Sequence, residues 1–237
     1  MVRQWSFKVF VFVWLTLGLS FIVLAVSLTV AAAGYRVNLQ ARTIVKTGLL
    51  VLESRPAGAA VEMNGKDLAA TTPLRQTYLL PGFYDVLVSL KGYIPFKKTV
   101  RVESGQAHYE DTITLFREVP DEATLASEEQ TKLSTDLAQI TPGLRDEELE
   151  VRGSEIWIKD RLVARLFSEI KQVKWFPGKR AYFVQLGNQL HAYQRDGSND
   201  YVIAPFPSED PTAFLVDEGG TRLVFNRDGK PVAYRIH

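Results

Sequence analysis

The chain has 237 residues, with 28 Lys and Arg against 27 Asp and Glu, three His and no Cys. This length allows one or two small domains. A near-zero net charge argues against a nucleic-acid partner, because such a protein needs excess Lys and Arg to neutralise phosphates. The lack of Cys excludes a disulfide framework, a thiolate zinc site and a cysteine nucleophile.

Residues 9–33 form an uncharged and almost wholly apolar run. As an α-helix it would extend ~37 Å, more than the ~30 Å thickness of a bilayer's hydrocarbon core. Trp5 and Tyr35 flank the run, where aromatic side chains favour the headgroup region. The sequence therefore predicts a single transmembrane helix at 9–33 in contact with the lipid bilayer. Residues 1–8 are then a cytoplasmic tail, and the body of the protein lies outside the cell membrane.

A cleaved signal peptide is the alternative interpretation of the same segment. Arg3 and Lys8 would form its basic region, and Ala31 to Ala33 before Gly34 fit the small-residue rule for cleavage. The apolar run is longer than the ~7–15 residues usual in a signal peptide, which favours an uncleaved anchor. Basic residues occur on both sides of the run, so their distribution does not decide the orientation. The orientation is inferred instead from the tail at 1–8, which is too short to offer a function in the cytoplasm.

Residues 34–47 contain Arg36, Arg42 and Lys46 but no acidic residue. Each basic group close to an anionic membrane surface contributes ~1 kcal/mol to binding. We expect this juxtamembrane arm either to contact anionic headgroups or to serve as a solvated connector into the first strand.

Residues 48–116 have the pattern of consecutive short strands. Apolar and polar side chains alternate along segments such as 83–90, and turn residues such as Asn64-Gly65 and Pro81-Gly82 separate the segments. The pattern predicts six or seven strands in a small antiparallel β-sandwich without crossover helices.

A series of turn and strand motifs runs through this region in a fixed order. The motifs are Pro56-Ala57-Gly58-Ala59, Asn64-Gly65, Thr72-Pro73-Leu74, Leu80-Pro81-Gly82-Phe83-Tyr84-Asp85-Val86, Lys91-Gly92-Tyr93 and Thr114-Leu115-Phe116. Their order and spacing resemble those of a PEGA domain, with one departure at Ala57, where the motif that names the family has Glu. The resemblance implies an all-β sandwich of the kind found in extracytoplasmic and surface-layer proteins of bacteria and archaea, and it implies no catalytic residues.

Residues 117–150 carry ten acidic and three basic side chains. Within them, residues 121–140 combine strong helix formers with a stripe of apolar side chains, and prolines bound the segment. The pattern predicts an acidic linker with one amphipathic helix of four to five turns that docks its apolar stripe on a neighbour. A partner-binding helix is the alternative. The stripe consists of Leu125, Leu133, Leu137 and Ile140.

Residues 151–237 return to a strand pattern and contain an internal similarity. The segment 173–197 aligns with 214–236, so that Tyr193 meets Tyr234. This spacing resembles that of blades in WD-repeat-like or TolB-like propellers, in which each repeat of ~40–45 residues forms four strands. The region is long enough for about two repeats, whereas a closed propeller needs at least four. We expect a small twisted sheet or an unclosed piece of a propeller, and an all-β fold class for the whole chain.

Candidate catalytic and metal-binding residues are few. The three histidines are isolated along the sequence and are expected to be ordinary polar residues, and the acidic groups at 128–129 and 146–148 to be solvated charges. The segment Asp196 to Asp200 offers oxygens for Ca²⁺ but lacks the further acidic ligand of an EF-hand, so a hairpin turn is favoured. Several aromatic residues fall at strand spacing and are expected in the core rather than in a carbohydrate platform. The histidines are His108, His191 and His237, and the aromatic residues are Trp157, Trp175, Phe176, Tyr182 and Phe183.

The sequence thus assigns no catalytic, cofactor-binding or metal-binding residue and leaves ligand-binding residues unknown. We expect a non-catalytic, membrane-anchored cell-envelope protein that presents β-modules to a protein or a cell-wall polysaccharide. We expect no cofactor, and the sequence leaves the oligomeric state undetermined. One alternative is an envelope glycan-acting enzyme or lectin fragment, for which a cleft with converging carboxylates would be the sign. Another is an extracytoplasmic sensor subunit with a separate signalling partner.

Overall fold

The computed structural model describes residues 2–38 and 42–237. Residue 1 and residues 39–41 lie outside the described part, as do the side chains of residues 2–6, 8 and 38, so the side chain of the predicted interfacial Trp5 and part of the predicted juxtamembrane arm are outside it as well. Strands dominate the remainder, and the predicted all-β class with an N-terminal apolar helix is confirmed. The elements are α1 (Val2–Ala32), β1 (Tyr35–Asn38), β2 (Thr43–Lys46), β3 (Gly48–Arg55), β4 (Ala60–Met63), β5 (Lys66–Thr71), β6 (Leu74–Leu79), β7 (Gly82–Ser89), β8 (Phe96–Val102), β9 (Ala107–Thr114), β10 (Asp121–Ala123), α2 (Ser127–Ala138), β11 (Arg145–Asp146), β12 (Leu149–Arg152), β13 (Glu155–Ile158), β14 (Arg161–Arg165), β15 (Ile170–Trp175), β16 (Ala181–Leu186), β17 (Gln189–Gln194), β18 (Tyr201–Pro205), β19 (Phe214–Val216), β20 (Arg222–Arg227) and β21 (Lys230–Arg235).

Helix α1 contains the predicted membrane span. Its segment Val9–Ala32 reaches a mean hydropathy of 2.7, and none of it is buried inside the protein. Ser20 and Ser27 return their hydroxyl hydrogen bonds to the carbonyls of Leu17 and Val23, at 2.8 and 2.7 Å. This back-bonding removes the cost of placing a hydroxyl in lipid. By length and composition, the helix is a candidate for crossing a membrane.

The chain divides into two compact units. The first comprises Met1–Leu50, Arg75–Phe83 and Arg101–Tyr109, and the second comprises Val51–Leu74, Tyr84–Val100 and Glu110–His237. Strands β3 to β9 therefore contribute residues to both units.

Strands β3 to β9 give the seven strands that the sequence predicts between residues 48 and 116. They form a three-stranded sheet of order β6-β3-β9 and a four-stranded sheet of order β5-β4-β7-β8. Each of the two sheets includes strands with a buried and an exposed side, as β3 shows by burying Leu50 and Leu52, which is the pattern of a sandwich. At the β4–β5 turn, Asn64 and Gly65 have φ of 52° and 72°, the paired positive values that a tight hairpin needs.

The region after residue 117 forms three four-stranded antiparallel sheets, of orders β11-β12-β13-β14, β15-β16-β17-β18 and β10-β21-β20-β19. The middle sheet is buried on both faces. Tyr182 and Val184 pack in one core cluster with Leu149 and Ile156, whereas Phe183 on the opposite face packs in another with residues of the β10–β21 sheet. The sequence predicts only about two repeats here; β10, β11 and the first residues of β12 come from the segment predicted as linker.

The internal similarity corresponds to equivalent strands. The shift that superposes Tyr193 on Tyr234 also places β16 on β20 and β17 on β21 with identical boundaries. Both segments are antiparallel meanders within four-stranded sheets. The predicted period therefore has a structural basis in repeated strand pairs.

The predicted linker helix is shorter than expected. Helix α2 covers 12 residues, or about three turns, because residues 121–123 pair as β10 with the last strand, Ala123 opposite Ala233. The predicted docking is confirmed: Leu125 and Leu137 are buried against Val224 and Ala233. Residues 117–150 thus contribute directly to the sheets that follow them.

Candidate functional site: a charged cleft in the second unit

A cleft of about 580 Å³ lies within the second unit. Strands β8 and β9 form one wall, and the β13–β14 hairpin and the end of β17 form the other. The apolar lining consists of Phe96, Ile113, Ile158 and Val163, and the charged lining of Lys98, Glu110, Lys159, Asp160, Arg161, Arg195 and Asp196.

Two contacts fix the walls of the cleft relative to each other. The side-chain amide of Gln194, only 3% exposed, donates to the carbonyl of Thr114 at 2.8 Å and accepts from its N–H at 3.2 Å. On β8, the N–H of Lys97 donates to Asn199 Oδ1 at 3.0 Å. Because both contacts involve backbone groups, they hold the strands themselves and position the neighbouring Lys98.

Lys98 joins two carboxylates inside the cleft. Its Nζ lies 2.6 Å from Glu110 Oε1 and 2.7 Å from Asp196 Oδ2. The Glu110 side chain is 8% exposed and that of Asp196 is 32% exposed. A cation shared between two carboxylates offsets their mutual repulsion, and here it also offsets the desolvation of the buried Glu110.

The protonation states of the pair follow from these contacts. Burial opposes the charge on both groups, but the hydrogen bonds from Lys98 and Ser198 outweigh it and lower the pKa of Asp196. Burial likewise opposes the charge of Lys98, and the hydrogen bonds to Asp196 and Glu110 outweigh it and raise its pKa. At neutral pH, Asp196 is ionised and Lys98 protonated, so this pair offers no acid or base that titrates near neutrality.

The segment Asp196 to Asp200 is the turn that the sequence favours. Gly197 has a φ of 85°, and a Cβ there would overlap the carbonyl oxygen of Val163, so only glycine fits. Asp196 accepts from the N–H and hydroxyl of Ser198, at 3.0 and 2.6 Å, in addition to Lys98. Asp200 contacts His191 instead. The two carboxylates are thus engaged with different side chains, and within residues 2–38 and 42–237 no cluster of three or more potential His, Cys, Asp or Glu ligands exists.

The rim of the cleft carries exposed cations. Lys159 pairs with Glu148 at 3.2 Å, and Arg195 lies over the Trp175 ring at 5.6 Å. Arg161 is exposed and makes no ion pair with any described residue. The rim therefore offers a guanidinium for a ligand.

The predicted isolation of the histidines can be followed residue by residue. His191 is 9% exposed, and its Nδ1 lies 2.6 Å from Asp200 Oδ1. His237 places its Nδ1 2.8 Å from the carbonyl of Leu115, to which it donates, and burial lowers its pKa. His108 lies half-buried on β9. His191 and His237 thus have separate partners, as expected of satisfied polar residues.

The aromatic residues considered for a carbohydrate platform lie mostly in the core. Trp175, Phe176, Tyr182 and Phe183 are all buried. Trp157 is half-buried, but Arg152 covers its ring at 4.9 Å and its indole N–H donates to Glu155 at 3.0 Å. Four of these rings are therefore in the core, and Arg152 occupies one face of the fifth, Trp157.

The acidic groups expected to be solvated are partly engaged. Glu129 pairs with Arg222 at 2.8 Å and Glu147 with Lys179. Asp146 accepts from the backbone N–H of Trp175 at 2.8 Å and so connects β11 to β15. These contacts secure the linker segment to the sheets.

Sequence reasoning missed the central residues Lys98 and Glu110. The signal was present in the alternation of β8, where Phe96, Val100 and Val102 are buried and Lys98 occupies the same side. A charged residue at an inward position is rarely buried without a partner. Its partners come from β9 and from the turn after β17, and only the folded chain shows this.

Comparison with known proteins identifies one region. Residues 47–115 match the PEGA domain family, in agreement with the resemblance found between residues 48 and 116. PEGA is a non-catalytic domain family. No curated protein matches the chain. The cleft thus combines β8 and β9 of the PEGA domain with hairpins of the sheets that follow it.

Proposed function

We propose that this protein is a non-catalytic, membrane-anchored binding protein of the prokaryotic cell envelope. Helix α1 spans the cell membrane with its N-terminal end in the cytoplasm, and the β-modules lie outside. The apolar composition of α1 and the PEGA domain support this arrangement. We further propose that residues 117–150 belong to the C-terminal module, since β10 and β11 pair within its sheets.

The shared contact of both carboxylates with Lys98 carries the binding role. Glu110 and Asp196 converge as they would in a glycan-acting enzyme, but both contact the same protonated lysine. A glycosidase needs one carboxyl whose pKa is raised so that it can donate a proton. Asp196 has a lowered pKa instead. A cleft of this kind binds a ligand better than it transforms one.

The lining of the cleft indicates the class of ligand. It combines apolar side chains with seven charged groups of both signs. The free Arg161 guanidinium and the carboxylate of Asp160 suit a polypeptide segment that carries charges of both signs. A neutral polysaccharide would instead need exposed aromatic faces, and the tryptophans at 157 and 175 are covered or buried. The occupant that fits the cleft is therefore a segment of another envelope protein.

Site-specific photo-crosslinking in intact cells tests this proposal. A photoreactive amino acid at Arg161, on the rim of the cleft, should form an adduct with one envelope protein. The same amino acid at Val202, which is 49% exposed on β18, should form none. Charge reversal of Arg195, near the site of the label, should weaken the adduct at position 161. Equal labelling from both positions would contradict a binding cleft.

The two alternatives predict different results. A glycan-binding protein would give no protein adduct, and the purified full-length chain would bind cell-wall polysaccharide. An enzyme would cleave that polysaccharide and lose the activity in Asp196→Asn. Either result would replace the proposed function.

A further inference from the structure

Within the first unit, the residue pair that follows α1 is hydrogen-bonded to the end of the β1–β2 hairpin, and the hairpin is in turn hydrogen-bonded to the β8–β9 turn. The carbonyl of Gly34 accepts from both the N–H and the hydroxyl of Thr47, each at 2.8 Å. The carbonyl of Thr47 accepts from the N–H of Gly105 at 3.2 Å, and Ser104 Oγ donates to the carbonyl of Lys46 at 3.0 Å. This series of bonds keeps the hairpin and the turn close to the end of the candidate span.

The hairpin has an exposed apolar face. In its register, Tyr35 lies opposite Lys46 and Val37 opposite Ile44. Because cross-strand partners share a face, Tyr35, Val37 and Ile44 lie on the same side. They are 41%, 61% and 65% exposed, and no described residue covers them. An apolar cross-strand pair in contact with water is unfavourable by the transfer free energy of its side chains.

Basic residues accompany this apolar face. Beyond the helix, the first unit carries five basic residues and one acidic residue, whereas the second unit has more acidic than basic residues. All five basic residues are exposed, and Arg36 and Arg101 lie over the rings of Tyr78 and Phe83, at 4.9 and 5.9 Å. The five are Arg36, Arg42, Lys46, Arg75 and Arg101, and the acidic residue is Glu103.

Exposed aromatic side chains complete the surface. Tyr78 is 54% exposed, Phe83 71% and Tyr109 61%. Rings of this kind, together with Lys and Arg, are enriched at the headgroup level of membranes because the rings favour the boundary between hydrocarbon and water. We call the apolar side of the hairpin, these rings and the basic residues of the first unit the juxtamembrane face; Arg36 alternates with Tyr35 and Val37 along β1 and so lies on the other side of the hairpin.

We propose that the juxtamembrane face docks on the surface of an anionic lipid bilayer, with Tyr35, Val37 and Ile44 inserted at the headgroup boundary. The inference rests on the proposed span of α1. The continuity is short, since α1 ends at Ala32 and β1 begins at Tyr35. The hairpin therefore lies at the depth of the headgroups, on whichever side of the membrane the body of the protein is. The excess of basic residues complements the negative charge of anionic lipid.

The absence of Cys from the sequence allows a direct test with single thiols. The full-length chain is reconstituted in vesicles of phosphatidylcholine, alone or with about 30% phosphatidylglycerol to supply the anionic surface that basic residues favour. A polarity-sensitive fluorophore is attached at Val37→Cys, at Val202→Cys as an exposed strand valine of the second unit, and at Leu19→Cys within the helix. Lipids that carry a quencher report the depth of each label.

If the face docks, the fluorophore at position 37 should show blue-shifted emission and be quenched by the labelled lipids in the anionic vesicles. The fluorophore at position 202 should emit as it does in water. Lys46→Glu combined with Arg101→Glu should return the label at position 37 towards aqueous emission, whereas Lys97→Glu with Lys230→Glu should not. A quenched label at position 19 with an aqueous label at position 37 would overturn the docking and leave the span intact. Aqueous labels at both positions would overturn the span and the docking together.

Discussion

Lys98 shows how one residue determines the character of the cleft. It lies at an inward position of β8, on the same side as Phe96 and Val100, yet it is charged. Its two ion pairs connect β8 to β9 and to the turn after β17. The lysine is therefore a structural cation between two consecutive strands and a turn that is distant from them in sequence.

Replacement of Lys98 by Ala should destabilise the protein by about 2 kcal/mol, somewhat less than the loss of one partner from a fully buried pair. The reason is that Glu110, with only 8% of its side chain exposed, would lose its ion pair with Lys98 at 2.6 Å. Urea unfolding of the full-length chain in detergent measures the change. Lys97→Ala, at the exposed neighbouring position, is the control. A surface truncation of this kind should leave stability almost unchanged. Equal losses in both variants would show that the ion pairs contribute nothing.

His237 gives stability a dependence on pH. Burial holds its pKa below the ordinary value of 6.5, so the folded state disfavours the charged ring. Its stabilising contribution is complete above pH 6.5 and is lost as the pH falls through the folded-state pKa. The free energy of unfolding should therefore decrease between about pH 7 and about pH 5 more in the wild type than in His237→Gln, which keeps an N–H donor for Leu115. Identical pH profiles would contradict the assignment.

At the scale of elements, α2 and β10 together contact the sheet formed by β19, β20 and β21. Strand β10 pairs with β21, and Arg227 binds both carboxylate oxygens of Glu122 at 3.0 Å. Helix α2 then buries Leu137 beside Val224 and Ala233. Residues early in the region thus pair with Ala233 to Arg235 of the final strand, so that a short strand of three residues forms this edge of the sheet.

Leu137→Ala should cost about 2–4 kcal/mol, because removal of a core side chain leaves a cavity. Leu137 is only 1% exposed, whereas Leu144, the matched control, is 46% exposed. Leu144→Ala should therefore cost less than about 1 kcal/mol. Thermal or urea unfolding of the full-length chain distinguishes the two. A cost for Leu137→Ala as small as that of the control would mean that α2 is not docked in solution.

At the scale of the whole molecule, charge and hydropathy are separated along the chain. The apolar span and the basic excess belong to the first unit, and the acidic excess belongs to the second. Such a distribution favours contact of the first unit, rather than the second, with an anionic surface.

The anchor and its orientation can be measured with the same cysteine-free chain. Alkaline carbonate should leave the full-length protein in the membrane pellet, with an N-terminus upstream of Gly34. An impermeant maleimide should label Val202→Cys in intact cells. Release into the supernatant, or a mature N-terminus at Gly34, would indicate a cleaved signal peptide. Labelling only in inverted vesicles would reverse the orientation.

Much of the architecture follows from sequence alone, because it depends on local patterns. An uncharged run longer than a bilayer predicts α1, and alternation with turn residues such as Asn64-Gly65 predicts the strands and their class. The internal similarity likewise identifies the strand pairs β16–β17 and β20–β21, since equivalent strands repeat the same side-chain pattern.

Only the tertiary structure decided which charged residues meet. Asp196 is far in sequence from Lys98 and Glu110, and no local preference brings the three side chains together. The pairing of β10 with β21 and the burial of α2 are also long-range outcomes, which shorten the predicted helix because a strand pair competes for its first residues. Local sequence sets each element's preference, but the free energy of long-range pairing and burial determines where the element ends and what it contacts.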